Sequence, residues 1–307
     1  MTDLASYKSK VLLFGEYSVI QKSQALAVPF DMFSGKLEFR QSSELELKKG
    51  SFTDQELLLF YKYILMAVKE SKTAYEFDTS SLRFDIDQGL YFKSTIPAGF
   101  GLGSSGALCA ALFAKYGKCD ESDLKILKSC LAELESHFHG RSSGLDPLVS
   151  YLNKPVLQTN NSELITVDYR AKNKGNGGLF LINTGRPRRT EPLVSLFLEK
   201  CKTEEFRKFC TEDLAKTTDQ CIRYFLEFQD EDLWNKFHEL SVHQYEQFLP
   251  MIPPLYRELW KKGLDSDTYK LKLCGAGGGG FLMGLTKDLK KAEELLMHPL
   301  KKIFSLF

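Results

Sequence analysis

Two short windows of this chain concentrate glycine and hydroxyl groups in a way that suits phosphate. Between Pro97 and Ala107 the sequence is PAGFGLGSSGA, with glycines at 99, 101, 103 and 106; between 275 and 280 it is GAGGGG. Nine of the 22 glycines fall in these windows, although glycine overall is at ordinary frequency. A glycine loop puts no Cβ between backbone and ligand, so its N–H groups can converge on an anion. The first window opens an apolar helix, whose N-terminus adds unpaired N–H groups and the positive end of the dipole. Ser104 and Ser105 add hydroxyls for a phosphate oxygen or a phosphate-bound metal ion. A loop that merely turns tightly is the plain alternative, and the second window admits it more readily.

Several phosphate-binding patterns are excluded. No G-x-x-x-x-G-K-[ST] string occurs. Both GLGSSG (101–106) and GAGGGG (275–280) match G-x-G-x-x-G, but a dinucleotide fold needs an acidic residue ending the next strand. Here Asp120, Glu121 and Asp123 stand at the start of another helix, and the second match lies between two strands. The protein-kinase strings H-R-D and D-F-G are absent.

Phosphoryl transfer also needs a metal ion on oxygen ligands, a cation for developing charge and often a base for the acceptor hydroxyl. Magnesium keeps most of its waters, so one Glu and one Ser can suffice. The segment ELESHFHGRSSGLDP (133–147) offers Glu135 near a helix end and Asp146 after a Ser-Gly turn. Lys10 starts the first strand and could pair with an aspartate, holding it ionised. His137 and His139 point to different helix faces, so a packed or capping His139 is the plainer reading than a metal pair with Glu135.

These groups must be held by regular elements. Lys8–Phe14 reads as a strand, and Lys36–Phe39 and Glu44–Lys48 alternate in period two. Asp54–Ser71 is helical, with Leu57, Leu58, Tyr61, Leu65 and Val68 at three- and four-residue steps. Leu82–Ile86 and Tyr91–Ile96 read as a strand pair turning at Gln88–Gly89. Helices follow over about Ser104–Tyr116, Glu121–His139 and Asp146–Tyr151, then strands near Val156 and Ile165. Asn173–Gly178 reads as a loop, and Gly178–Thr184 as a buried strand. A mostly helical stretch, Glu191 to about Gly263, precedes strands Tyr269–Cys274 and Phe281–Leu285 and a lysine-rich C-terminal helix. That helix would present Lys287, Lys290, Lys291, Lys301 and Lys302 to solvent. The order of elements indicates an α+β fold with two lobes.

Composition supports a folded protein and withholds any large electrostatic footprint. Forty-one Lys+Arg against 40 Asp+Glu leave a net charge of +1 over 307 residues, with 43% apolar residues. Neither nucleic acid nor an anionic membrane is selected by that balance. Seven cysteines without a C-x-x-C pair, and no signal-peptide core in the opening residues, imply free thiols and a cytoplasmic location.

SKVLLFGEYSVI (9–20), PAGFGLGSSGA (97–107) and KLCGAGGGGF (272–281) resemble, in order and separation, the three motifs of the GHMP kinase superfamily. Within it, ESHFHGRSSGLD (135–146), INTGRPRRTEPLV (182–194) and QALAV (24–28) are similar to segments of the mevalonate kinase family. The resemblance implies an α+β, two-lobed GHMP kinase fold. Its ATP-binding lobe, like domain 2 of ribosomal protein S5, would span 1–172, and a ferredoxin-like α/β lobe 173–307. ATP and Mg²⁺ would be the cofactors, and the primary hydroxyl of mevalonate the acceptor, giving 5-phosphomevalonate in isoprenoid biosynthesis. A homodimer is compatible with that reading.

Site roles follow from the same resemblance. Asp146 would be the base, with Lys10 stabilising it and the transferring phosphoryl group. Ser105 and Glu135 would hold Mg²⁺. Pro97, Gly99, Gly101, Leu102, Gly103, Ser104, Ser105, Gly106 and Ala107 would wrap the ATP phosphates, with Gly277 and Gly278 contributing from the second loop. Glu16, Tyr17, Thr184, Arg188 and Ala276 would lie near the acceptor, Arg188 facing its carboxylate. Two residues depart from the mevalonate kinase pattern: Tyr17 stands where G-E-H has histidine, and Gly106 where S-S-A has alanine. Both variants look more like phosphomevalonate kinase, which keeps phosphomevalonate or another small alcohol as an alternative acceptor. A non-catalytic relative usually lacks the base or the lysine; here both are present.

Overall fold

The computed structural model describes residues 5–40, 54–70, 75–168, 175–188 and 191–307. The chain divides into two compact units, each assembled from separate segments: Met1–Val11, Ala27–Ala98 and Leu102–Val156 in the first, Leu12–Leu26, Gly99–Gly101 and Leu157–Phe307 in the second.

The first unit begins with β1 (Ser6–Phe14) and β2 (Ala25–Phe39), two strands that also contribute residues to the second unit. After α1 (Asp54–Lys69) come β3 (Glu76–Phe77), α2 (Thr79–Asp87) and β4 (Leu90–Ser94). Strands β2 and β4 pair antiparallel, Gly35 facing Ser94 and Phe39 facing Leu90. Then follow α3 (Ser104–Tyr116), β5 (Gly117–Lys118), which pairs with β3, α4 (Leu124–His139) and α5 (Leu145–Leu152). Helix α3 is apolar all round and buried from Gly106 through Phe113, because α4 and α5 pack on it.

The second unit continues with β6 (Val156–Gln158), β7 (Leu164–Thr166) and β8 (Gly178–Asn183). Helices α6 (Glu191–Lys200), α7 (Glu204–Phe209), α8 (Ala215–Leu226), α9 (Asp230–Gln247) and α10 (Pro254–Leu264) follow. Strands β9 (Tyr269–Leu273) and β10 (Phe281–Thr286), helix α11 (Leu289–Leu296) and strand β11 (Leu300–Ser305) complete it. The sheet order is β11-β8-β10-β9, with β8 and β10 antiparallel from Phe281 opposite Asn183 to Thr286 opposite Gly178. Its central strands are buried on both faces, which explains their unbroken apolar runs.

Three expectations are corrected. The strand read over Leu82–Ile86 is helix α2, started by the Asp78 carboxylate accepting the Ser81 N–H at 2.9 Å. The alternation of Leu82, Phe84 and Ile86 is not a buried face, since Phe84 is 64% exposed. The C-terminal helix ends at Leu296, and Lys301 and Lys302 lie on β11, paired with Leu181 and Phe180 of β8. In α1 the buried stripe is Leu57, Phe60 and Ile64 rather than the line through Tyr61 and Leu65. The alternating segment Glu44–Lys48 and residues 173–174 of the Asn173–Gly178 loop lie outside the described residues. Among the described residues no helix is long and apolar enough to cross a membrane.

Candidate active site

In the first unit, four segments converge on the start of α3. Gly103 caps that helix in a left-handed conformation (φ 75°), which only glycine adopts cheaply. The first N–H groups of a helix have no carbonyl within it, so Ser104, Ser105 and Gly106 present donors at a positive helix end. The Lys10 N–H donates to the Leu102 carbonyl at 3.0 Å, fixing the loop to β1. Lys10 Nζ then lies 2.8 Å from Asp146 Oδ1, the lysine almost wholly buried and the aspartate open on one side.

Asp146 occupies the first turn of α5, behind a left-handed Gly144 cap. Its approach to α3 depends on Gly106. A Cβ at that position would stand 2.9 Å from Pro147 N and 3.0 Å from the Asp146 carbonyl carbon. Glycine in place of the motif's alanine is thus what this close helix contact requires.

Glu135, near the end of α4, is buried. Its Oε1 accepts from Ser105 Oγ at 3.1 Å, and its Oε2 accepts from Ser142 Oγ. Burial, reinforced by the neighbouring Asp146 charge, pushes this carboxyl well above the usual carboxylate range, against the Ser142 and Ser105 hydrogen bonds and the Lys10 charge. His139 Nε2 stands 3.0 Å from Ser105 Oγ. Burial lowers its pKa, the Asp146 charge opposing and the Lys10 charge assisting.

This donor set fits Mg²⁺. The 3.1 Å between Ser105 Oγ and Glu135 Oε1 is close to the edge, about 2.9 Å, of an octahedron with Mg–O distances of about 2.1 Å. A cation there would also relieve two carboxylates that repel each other. Among the described residues there is no cluster of three or more His, Cys, Asp or Glu that could hold a metal ion.

A second constellation lies in the second unit. Glu16 is buried, with Oε1 2.5 Å from Lys272 Nζ and 3.4 Å from the Gly275 N–H. Burial raises its pKa while Lys272 and the Gly275 amide oppose the rise. Tyr17 is buried too, its hydroxyl donating to the Ala276 carbonyl at 2.7 Å. Thr184 Oγ1 donates to the Gly280 carbonyl at 2.9 Å. Arg188 donates through Nη1 to the Cys274 carbonyl, and its backbone N–H donates to Gly99 O at 2.9 Å. Its guanidinium passes between Gly101 and Gly275, where Cβ atoms would stand 2.0 and 2.4 Å from Nη2.

In the second glycine loop the Gly278 N–H donates to Met251 O at 2.6 Å, and the Gly280 N–H donates to Arg186 O at 2.7 Å. A Cβ at Gly277 would meet the same Met251 carbonyl at 2.5 Å. Close backbone packing therefore accounts for much of this loop's glycine content.

Residues 62–154 match the family profile described as GHMP kinases N terminal domain. Over those residues the chain is similar to the N-terminal domain of the GHMP kinases. It is 25% identical over 307 residues to the mevalonate kinase of Archaeoglobus fulgidus, covering 97% of this chain and 98% of that one. Its fold matches a crystal structure of L. major mevalonate kinase in complex with R-mevalonate, with a TM-score of 0.62 at 13% identity over 99% and 97% of the two chains. Streptococcus pneumoniae phosphomevalonate kinase, in complex with phosphomevalonate and AMPPNP, gives a TM-score of 0.62 at 15% identity over 95% and 94%. The mixed α+β architecture is the GHMP kinase fold.

Of the residues singled out from sequence, the first unit gathers Lys10, Asp146, Ser105 and Glu135, with Gly103, Ser104 and Gly106. The second gathers Glu16, Tyr17, Thr184, Arg188 and Ala276 around the second glycine loop, with Gly99 and Gly101 beside Arg188. Pro97 and Ala107 flank the first loop, Ala107 buried inside α3. Arg189 lies outside the described residues. Sequence reasoning missed Ser142, Lys272 and the contact made by His139. Lys272 opens the third motif, but its partner Glu16 is 256 residues away, and no periodicity links the two.

Proposed function

We propose that this protein transfers the γ-phosphoryl group of ATP to the primary hydroxyl of mevalonate, giving 5-phosphomevalonate and ADP. The Lys10–Asp146 ion pair beside the N-terminus of α3 carries the reading. Asp146, held by Lys10 and open on one side, accepts the acceptor's hydroxyl proton as the new P–O bond forms. Lys10 and the α3 N–H groups stabilise charge on the transferring phosphoryl group. Ser105 and Glu135 would hold Mg²⁺, which when bound neutralises phosphate charge. Pro97 and the residues from Gly99 to Ala107 cradle the phosphates, and Thr184 and Arg188 bind the acceptor's carboxylate end. The likeness to the Archaeoglobus fulgidus mevalonate kinase over nearly the whole chain supports this acceptor.

We assign the family's ATP-binding half to 1–172 and its C-terminal half to 173–307. The enzyme works in the cytoplasm, consistent with seven free cysteines, and as a homodimer. Phosphomevalonate is the second reading: the Tyr17 and Gly106 variants resemble the motifs of that kinase, and the fold also matches a phosphomevalonate kinase. ADP release measured with no acceptor, with mevalonate and with phosphomevalonate tests both. Mevalonate alone should raise turnover; a response to phosphomevalonate alone would replace the first reading with the second. Equal ADP release in all three tubes would refute both.

A further inference from the structure

Tyr17 is the residue that departs most visibly from the G-E-H pattern, and its surroundings are unlike those of a ligand contact. Its ring packs in a cluster with two others, stacked on Phe248 at 5.3 Å and 17° and tilted against Phe197 at 4.8 Å and 32°. Only 5% of the residue is exposed. The hydroxyl proton is committed to the Ala276 carbonyl at 2.7 Å, inside the second glycine loop. Its backbone is left-handed (φ 61°), a conformation that costs a bulky residue energy and persists only where the surroundings over-determine it. The preceding Glu16 grips the same loop through the Gly275 N–H and through Lys272. Phe197 and Phe248 themselves pack on Phe206, so the ring stack is anchored to α6 and α7.

We propose that Tyr17 is a positioning residue that holds the second glycine loop in place through Ala276, and that it does not read the acceptor. The inference rests on the kinase reading only for its kinetic arm. A buried ring packed in an aromatic cluster supplies rigidity, and the hydroxyl supplies register along the loop. It follows that tyrosine in place of histidine does not decide between mevalonate and phosphomevalonate; acceptor choice lies with other groups.

Two readouts on the full chain separate this from a substrate contact and from a merely structural role. In Tyr17→Phe the ring stack remains and only the bond to Ala276 O is lost. Amide hydrogen exchange at Gly275, Gly278 and Gly280 should then accelerate about fivefold, the effect of one ordinary hydrogen bond, with exchange in α3 unchanged. In Tyr17→Phe, Tyr17→His and Phe248→Leu, kcat/KM for the acceptor that the wild type uses should fall, and its ratio to the residual activity with the other acceptor should stay within about twofold. A tenfold or larger change of that ratio in Tyr17→His but not in Phe248→Leu would make Tyr17 an acceptor contact and overturn the proposal. Unchanged exchange at the three glycines in Tyr17→Phe would overturn it as well. A wild-type chain that turns over neither acceptor refutes the proposed function, and the exchange measurement still decides the role of Tyr17.

Discussion

The contact between α3 and α5 offers a sharp test, because one methyl group probes it. In Gly106→Ala the new Cβ would lie 2.9 Å from Pro147 N and 3.0 Å from the Asp146 carbonyl carbon. Comfortable contact needs about 3.5 Å, so the helices must part by roughly 0.5 Å. Overpacking of this kind costs about 1–3 kcal/mol, while alanine returns up to about 1 kcal/mol of helix propensity. The net loss of stability is therefore about 0–3 kcal/mol, and the chain should fold. The larger effect falls on Asp146, which moves with α5 away from Lys10. A displacement of about 1 Å can cost 10²-fold, so half of that should lower kcat roughly tenfold. Steady-state ADP release at saturating ATP and acceptor measures the rate, and a thermal melt measures the fold. A variant with kcat within about twofold of wild type and a raised melting temperature would refute the reasoning, since α5 would then yield without moving the base.

Other perturbations follow from the same geometry. Asp146→Asn should lose about 10²–10⁴ in kcat with ATP affinity retained by calorimetry; near-normal turnover would remove Asp146 from the reaction. Ser105→Ala should raise the Mg²⁺ concentration needed for half-maximal rate at fixed ATP, and an unchanged titration would count against its assignment. Lys272→Met leaves the Glu16 carboxylate buried without its cation and should cost about 3–5 kcal/mol in urea unfolding; adding Glu16→Gln should recover most of it. Burial would raise the Glu38 pKa, but bonds from Lys93, Lys36 and Tyr91 outweigh it and hold the carboxyl at about 2. Its contribution, after solvent screening about 1–2 kcal/mol, is present above pH 4.5 and lost as pH falls through 2. The gap in urea unfolding between wild type and Glu38→Gln should narrow between pH 7 and pH 3 and close only below pH 2.

Much of the first unit's chemistry was legible because its signals are local. The turn into α3 is written in consecutive residues, Gly101 to Ala107, and Glu135 and Asp146 lie eleven residues apart across one helix end. Such spacing survives folding, since a helix cap and its first turn are made by neighbours in the chain. The strands β8 and β10 were legible for a related reason: strands buried on both faces need unbroken apolar runs.

Where partners are distant in sequence, local pattern misled or said nothing. Leu82, Phe84 and Ile86 alternate as a strand would, yet the Asp78 cap and the packing of Leu82 alone make a helix of them. Leu300–Ser305 carries no strong period, and pairing with β8 makes it a strand. The sequence by itself determined the glycine turn into α3 and singled out Lys10, Ser105, Glu135 and Asp146, which the fold brings together. The tertiary structure alone decided that Glu16 is sealed against Lys272 and that Tyr17 spends its hydroxyl on Ala276, contacts spanning 256 and 259 residues. The physical reason is that burial and pairing depend on which surfaces meet once the chain has closed, and no residue spacing encodes that meeting.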